Sequence, residues 1–327
     1  MMRIAIVIIA LVTGCVAPRV ITPVAQGRAD QPPVVVILTS SNNRLYEAPI
    51  TAFQSQLEGE ATVYAETVTD PRGLAEALQV VKPSLIFALG TQAAIFARQK
   101  FPEVPLLFAM VVNHRRLKEL QAPQVMGVAL EVPPASEFTQ FKLAMPSMNR
   151  VLVLHATENT SDVVAGATEA ARSLGITLVA APVRDLAELK TQYARYSKQV
   201  DAVWLLNDPV VMNPAAFGWL RDASYRDRVA LISSLSDKFA RAGALMSVSV
   251  DLGSLGFQAS AMAMGVFKQQ QSPSEIGIQP PIGARLVLNM VVAQKLGLQV
   301  PEEVLPFISE VIVSEGPATP RPDANDR

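Results

Sequence analysis

A single cysteine, Cys15, stands in a chain of 327 residues, so no disulfide can form within it. Charge is scarce as well: 17% of residues are charged, the net charge is -1, and no long basic run occurs. That balance argues against binding nucleic acid by phosphate neutralisation. Histidine is rarer still. His114 and His155 are the pair present, with no accompanying Cys or His-x-x-His spacing, so no metal site is expected. No Walker loop, nucleophile elbow or zincin motif occurs, and the stretch Gly253 to Gly256 is too short for a dinucleotide fingerprint. Neither catalytic residues nor a cofactor are expected. The apolar run near the start, Ile4 to Val12, is too short to span a bilayer as a helix.

What the chain does have is apolar residues in short, regularly spaced runs. Half of it is hydrophobic, which supplies a substantial core, and its length suits two α/β lobes or one large domain. The pattern is plainest from Pro83 to Asn113. Leu85 to Leu89 reads as a strand buried on both faces. Gly90-Thr91 breaks it, with Thr91 as candidate cap of a helix from Gln92 to Lys100. Pro102 and Pro105 lead into a second strand, Leu106 to Val112. A βαβ unit places ligands outside the carboxyl ends of its strands. That edge carries Gly90, Thr91, Gln92 and Asn113. On the dipeptide alone, a plain strand-to-helix turn is the better reading of Gly90-Thr91.

The same alternation extends in both directions. Strands are expected at Val34 to Leu38, Ala61 to Ala65 and Val125 to Leu130, and helices at Leu45 to Leu57 and, capped by Asp70, to Val81. His114 to Gln121 reads as a solvated, basic helix. A helix beginning in "VPPASEF" ends near Met145-Pro146, and a second set follows. Its strands are Val151 to His155, Ile176 to Ala180, Ala202 to Leu206, Val229 to Ile232 and Ala244 to Val250. Its helices are Ser161 to Leu174, Asp185 to Lys198 and Pro214 to Tyr225. Asp251 caps a buried helix from Gly253 to Phe267. Two sets of βα units imply two lobes built on parallel sheets.

The first residues fit a secretory leader. "LVTGC", Leu11 to Cys15, resembles the lipobox of bacterial lipoproteins, where the chain is cut before an acylated Cys. The alternatives are a plain leader with a chance Cys, or an uncleaved anchor. The segments "SSNNRLYEAPITAFQSQL", "PSLIFALGTQAA", "VPLLFAMVVN", "FKLAMPSMNRVLVLHATENTSD", "VDAVWLLNDPVVMN" and "GALMSVSVDLGSLGFQASAMA" stand in an order and spacing similar to one family. It is the ABC-transporter substrate-binding proteins of type I periplasmic binding fold, in the branch that includes tryptophan and aromatic amino-acid binders. The resemblance covers about residues 34 to 310.

The resemblance implies two Rossmann-like lobes joined by hinge crossovers, with a small-molecule ligand in the cleft between them. The expected layout is a leader over 1–15, a tether over 16–33, an N-terminal lobe from 34–122 plus 250–278, a C-terminal lobe from 123–249 plus 279–314, and a disordered tail 315–327. The cleft loops map onto Ser40, Ser41, Gly90 to Gln92, His155, Thr157, Asn159, Asn207 and Asp208, with Tyr46 as a candidate aromatic wall. Ser40, Ser41 and Thr91 would donate to a carboxylate, and Asp208 would accept from an ammonium group. Asp208 could equally shape its turn with Pro209, Asn159 and Asn207 could bond backbone, and Tyr46 could simply pack. Asn113-His114 departs from the family's more usual Asp-Pro. The expected partners are a small organic solute such as an amino acid, an ABC permease, and a bacterial membrane through the lipid on Cys15. The protein would act as a monomer in the periplasm or at the cell surface. The alternatives are an envelope lipoprotein using this fold as a sensor or interaction module and, less favoured by the motifs, an envelope hydrolase.

Overall fold

The computed structural model describes residues 31–314. The expected leader, Cys15, nearly all of the expected tether and the tail 315–327 lie outside the described residues. In chain order the first set of elements is β1 (Val34–Thr39), α1 (Glu47–Leu57), β2 (Thr62–Thr67), α2 (Pro71–Val81), β3 (Leu85–Leu89), α3 (Thr91–Lys100), β4 (Leu106–Ala109) and β5 (Val125–Val128). The second is α4 (Pro134–Ala144), β6 (Arg150–His155), α5 (Thr157–Ser173), β7 (Thr177–Pro182), α6 (Leu186–Tyr196), β8 (Ala202–Leu205), α7 (Pro214–Asp227), β9 (Ala230–Ser233), α8 (Asp237–Arg241) and β10 (Met246–Val250). There follow α9 (Leu252–Gln269), α10 (Pro273–Ile276), β11 (Ile278–Gln279), β12 (Ala284–Asn289), α11 (Met290–Leu296) and β13 (Glu310–Ile312).

These strands form two sheets, one six-stranded in the order β11-β5-β4-β3-β1-β2 and one seven-stranded in the order β13-β12-β10-β9-β8-β6-β7. All recorded pairings are parallel except β10 with β12. Helices flank both sheets. That explains the unbroken apolar run of β3, in which every residue is buried. One continuous apolar cluster runs from Val35, Phe53 and Phe87 beside the first sheet to Phe138, Trp204 and Leu288 beside the second. Further clusters cover the other face of each sheet.

Local chemistry sets several element ends. Asp70 accepts from the Gly73 N–H at 3.3 Å with Pro71 in the first turn of α2. Asp251 accepts from the Ser254 N–H at 2.7 Å and starts α9. α9 lies against α1 at Gly256, where a Cβ would strike the Pro49 carbonyl and the Ala52 methyl.

Three expectations need correction. β5 pairs with β4 in the first sheet, so the chain crosses to the second sheet after Val128 and not near residue 122. Gly127 is the reason β5 fits there: a Cβ would meet the Phe108 ring at 2.5 Å, so only glycine lets the two strands pack. The segment from His114 is no solvated helix. It makes two short 3-10 turns, His114–Arg116 and Lys118–Leu120, which bury His114 and Leu120. Finally, α5 begins at Thr157, one turn earlier than the pattern predicts.

Candidate functional site

At the carboxyl end of β1 the chain turns through Ser40. Its hydroxyl accepts from the Ala93 N–H at 3.0 Å and donates to the Leu89 carbonyl at 3.2 Å. Ala93 is the third residue of α3, so Ser40 caps that helix from a different strand. The N-cap position belongs to Gly90, not Thr91, and glycine has no side chain with which to cap. Gly90 is held at φ +90°, and a Cβ there would lie 2.5 Å from the Tyr46 hydroxyl and 2.6 Å from Ser40 Oγ. Ser40, Tyr46 and Gly90 therefore meet, but the Ser40 hydroxyl is already occupied by backbone and is no free donor. Thr91 and Gln92 follow in the first turn of α3, half-buried and exposed respectively.

Beside this turn lies a cavity of about 500 Å³ between the β1–α1 connection and the end of β2. Tyr46, Ile50 and Ala65 give it an apolar wall, and Ser41 lies on its rim. Asn42, Asn43 and Arg44 line it in succession. The Asn42 Oδ1 accepts the Thr67 hydroxyl at 2.9 Å, and Thr67 is itself 2.9 Å from the Thr39 hydroxyl. The Asn43 Oδ1 accepts the Leu45 N–H at 3.0 Å. Both amide oxygens are thus engaged, so these three side chains offer the cavity N–H groups. Glu47 and Glu66 line it as well and offer oxygens. The cavity is accordingly bipolar, with donors suited to a carboxylate, acceptors suited to an ammonium group and an apolar wall between.

The second sheet presents different chemistry. Asp208 is fully buried. Its Oδ2 accepts from the Ala156 N–H at 2.7 Å and the Thr160 hydroxyl at 3.0 Å, and its Oδ1 from the Val210 and Val211 N–H groups at 2.9 and 3.4 Å. Every acceptor direction of the carboxylate is taken up by protein. Asp208 ties its own turn to the start of α5, and the expectation that it faces a ligand is corrected. His155 is also buried, with Nδ1 3.4 Å from the Thr160 hydroxyl. Burial holds its pKa below the usual histidine value, against the pull of Asp208. Thr157, Asn159 and Asn207 are exposed at this edge. Deeper in the second unit, Glu137 accepts the Ser234 hydroxyl, which in turn accepts the Trp204 indole N–H. Burial pushes the Glu137 carboxyl up to about 8, against those hydrogen bonds.

The two edges touch. Arg116, in the loop after β4, donates to the Asn159 carbonyl in the first turn of α5 at 3.2 Å. Asn113 is exposed in the same loop, and its N–H donates to Glu131 Oε1 at 3.3 Å. The structure therefore gathers Ser41 and Tyr46 around a cavity, keeps Thr157, Asn159, Asn207 and Asn113 on exposed edges, and withdraws Asp208 and His155 into the protein. Asn42 to Arg44, Glu47, Glu66, Arg116 and Glu131 escape the sequence reading. The polar loop "TSSNN" after the first strand is the signal that could have found the first of these.

A family model described as ABC transporter substrate binding protein matches residues 61–312. A search of curated protein sequences finds no match. Among solved structures, a ligand-free, open substrate binding protein with adhesive properties from Clostridium difficile is 19% identical, with a TM-score of 0.70, over 86% of this chain and 100% of that one. An ABC domain in complex with L-Trp from Streptococcus pneumonia is 21% identical, with a TM-score of 0.52, over 85% of this chain and 100% of that one. A conserved domain protein from Vibrio cholerae is 18% identical, with a TM-score of 0.53, over 86% of this chain and 100% of that one. At these identities the structural likeness shows the fold.

Proposed function

We propose, because the chain belongs to the family of ABC transporter substrate-binding proteins, that it captures a small zwitterionic organic solute at the carboxyl edge of its first sheet and delivers it to an ABC permease. The family binds solutes and is not an enzyme family, and its members act outside the cytoplasm. Among the described residues no helix is long and apolar enough to cross a membrane. The anchor in this reading is a lipid on Cys15, supported by the small residues Thr13 and Gly14 before it and the apolar run ahead of them.

The observation that carries the reading is the bipolar cavity at the carboxyl edge of the first sheet. Parallel sheets bind ligands at that edge. Here it offers N–H groups from Asn42, Asn43 and Arg44, carboxylates from Glu47 and Glu66, and the Tyr46 ring. An amino acid with an apolar side chain has complementary parts. The solute bound by the Streptococcus relative, L-Trp, is of that kind.

A thermal-shift screen of the purified full-length chain against amino acids, their decarboxylated amines and their deaminated acids tests this. A specific ligand at one hundred times its dissociation constant raises stability by about 2.7 kcal/mol. The expected result is a shift with an intact zwitterion and little with either truncated analogue. Equal shifts with amine or acid alone, or no shift with any solute, overturn it.

A further inference from the structure

Among the described residues, Lys82, Met110, Asn113, Arg228 and Gln270 are the non-glycine residues with positive φ. Lys82, Arg228 and Gln270 are C-caps of α2, α7 and α9, where a left-handed residue is a usual way to end a helix. Met110 at φ +56° and Asn113 at φ +52° end no α-helix. Both fall in the loop that leaves β4 at the carboxyl edge of the first sheet. Each such residue costs on the order of 1 kcal/mol, so neighbouring contacts must hold the loop in place.

Those contacts reach in two directions. Glu131 lies in the segment that crosses from β5 to α4, between the sheets. It accepts from the Asn113 N–H, and its Oε2 lies 3.7 Å from His114 Nδ1. The His114 ring is fixed in turn by Phe108, with centroids 5.5 Å apart. On its other side the loop reaches the second unit, where Arg116 donates to the Asn159 carbonyl. The chain passes between the sheets twice more, from β10 into α9 and from β11 to β12, and these two crossovers are fastened to α9 and to each other. Gln258 donates to the Pro280 carbonyl at 2.8 Å and accepts from the Ile282 N–H at 3.0 Å, while the Asp251 N–H donates to the Gly283 carbonyl at 3.1 Å. Of the three crossovers, the one carrying Glu131 is therefore joined through a strained loop to the facing edge of the second sheet.

We propose that Arg116 and Glu131 are positioning residues, which strap the two units in the orientation seen here, and that a change of orientation on solute binding requires Arg116 to leave Asn159. The solute-linked step rests on the solute-binding reading above; the strap itself does not. A hydrogen bond between two rigid bodies is specific to one relative orientation, because rotation lengthens it and spoils its angle. The bond also places a cation against the N-terminal turn of α5, where the helix dipole disfavours positive charge. It is thus a contact the fold can release. A ligand that prefers another orientation works against the strap, and only its differential affinity moves the population.

The test needs no ligand. Spin labels on Gln79→Cys in α2 and Ala165→Cys in α5, both exposed positions, report the distance between units in the full chain carrying Cys15→Ser. With Arg116 present, one dominant distance is expected. In Arg116→Ala the ratio of the alternative orientation to the strapped one should rise by about fivefold, the effect of losing one modest hydrogen bond. Glu131→Gln should move the ratio in the same direction, and Arg116→Lys, which keeps a donor, should restore most of the original distribution. Melting temperatures should stay close to the parent's. Distributions for Arg116→Ala and Glu131→Gln that superimpose on the parent's overturn the proposal. So does a loss of melting temperature in Arg116→Ala without a change in distance, which would make it a fold contact. A failed solute screen would refute the transport reading while leaving the distance result to decide the strap.

Discussion

The Asp208 carboxylate accepts the hydroxyl of Thr160, 48 residues earlier in the chain, at 3.0 Å and with no solvent access. Together with the Ala156, Val210 and Val211 N–H groups it completes a four-donor shell around a buried charge. Asp208→Asn turns one acceptor oxygen into a donor that faces other donors. It is expected to lower unfolding stability by at least about 2 kcal/mol, seen as a lower denaturant midpoint at unchanged slope. Unchanged stability with weaker solute binding would return Asp208 to the ligand site.

That pair also shows where sequence reading stops. Asp70 and Asp251 are legible as caps because their acceptors and donors lie three residues apart, and β3 is legible because burial on both faces demands an unbroken apolar run. Asp208 and Ser40 look like ligand groups because each is a polar residue just after a strand. Their true partners, Thr160 and Ala93, come from other elements, and no local pattern reveals them. The early start of α5 has the same origin, since Asp208 takes the N–H of its N-cap residue, Ala156. The family likeness and the two mostly parallel sheets were legible from periodicity and segment order. The assignment of β5 was not, because it depends on the Phe108 ring lying over Gly127.

Glu137 should make stability fall with rising pH. Its pKa goes from 4.5 unfolded to about 8 folded, so between those values the native state holds a proton that the unfolded state has lost. Stability from this group is full below about pH 4.5 and is lost progressively as pH rises to about 8. The span corresponds to about 5 kcal/mol at most. Denaturant unfolding from pH 5 to 8.5 should show a gentler decline in Glu137→Gln than in the parent. Parallel curves for the two proteins would show that Glu137 is not the titrating group.

Gly90→Ala should disturb the site from below. The residue sits at φ +90°, and the new methyl would press on the Tyr46 hydroxyl and Ser40 Oγ. A loss of about 1–3 kcal/mol is expected from the backbone strain, with weaker solute binding because Tyr46 must move. Wild-type stability and affinity together would contradict the packing described.

The anchor is tested by Cys15→Ser. Labelling with radioactive palmitate should vanish, and the protein should move from the membrane pellet to the soluble fraction. One acyl chain gives only marginal binding, so full retention of the parent implies more than one chain. Unaltered labelling of the variant would remove lipidation at Cys15 from the reading.

The donor side of the cavity gives the sharpest test of the solute site. Asn42→Asp keeps size and shape, and Oδ1 can still accept from Thr67. What changes is the other atom: an N–H donor becomes an oxygen, and a negative charge appears beside Arg44. A carboxylate bound there would lose a hydrogen bond and meet repulsion, so calorimetric affinity for the screened zwitterion should fall about tenfold or more. Because Asn42 is exposed, stability without solute should stay within about 0.5 kcal/mol of the parent. Arg44→Gln should weaken binding in the same direction through loss of charge, and Glu66→Gln should weaken it through loss of the ammonium partner. Zwitterion binding that is indifferent to all three substitutions would place the solute elsewhere on the molecule.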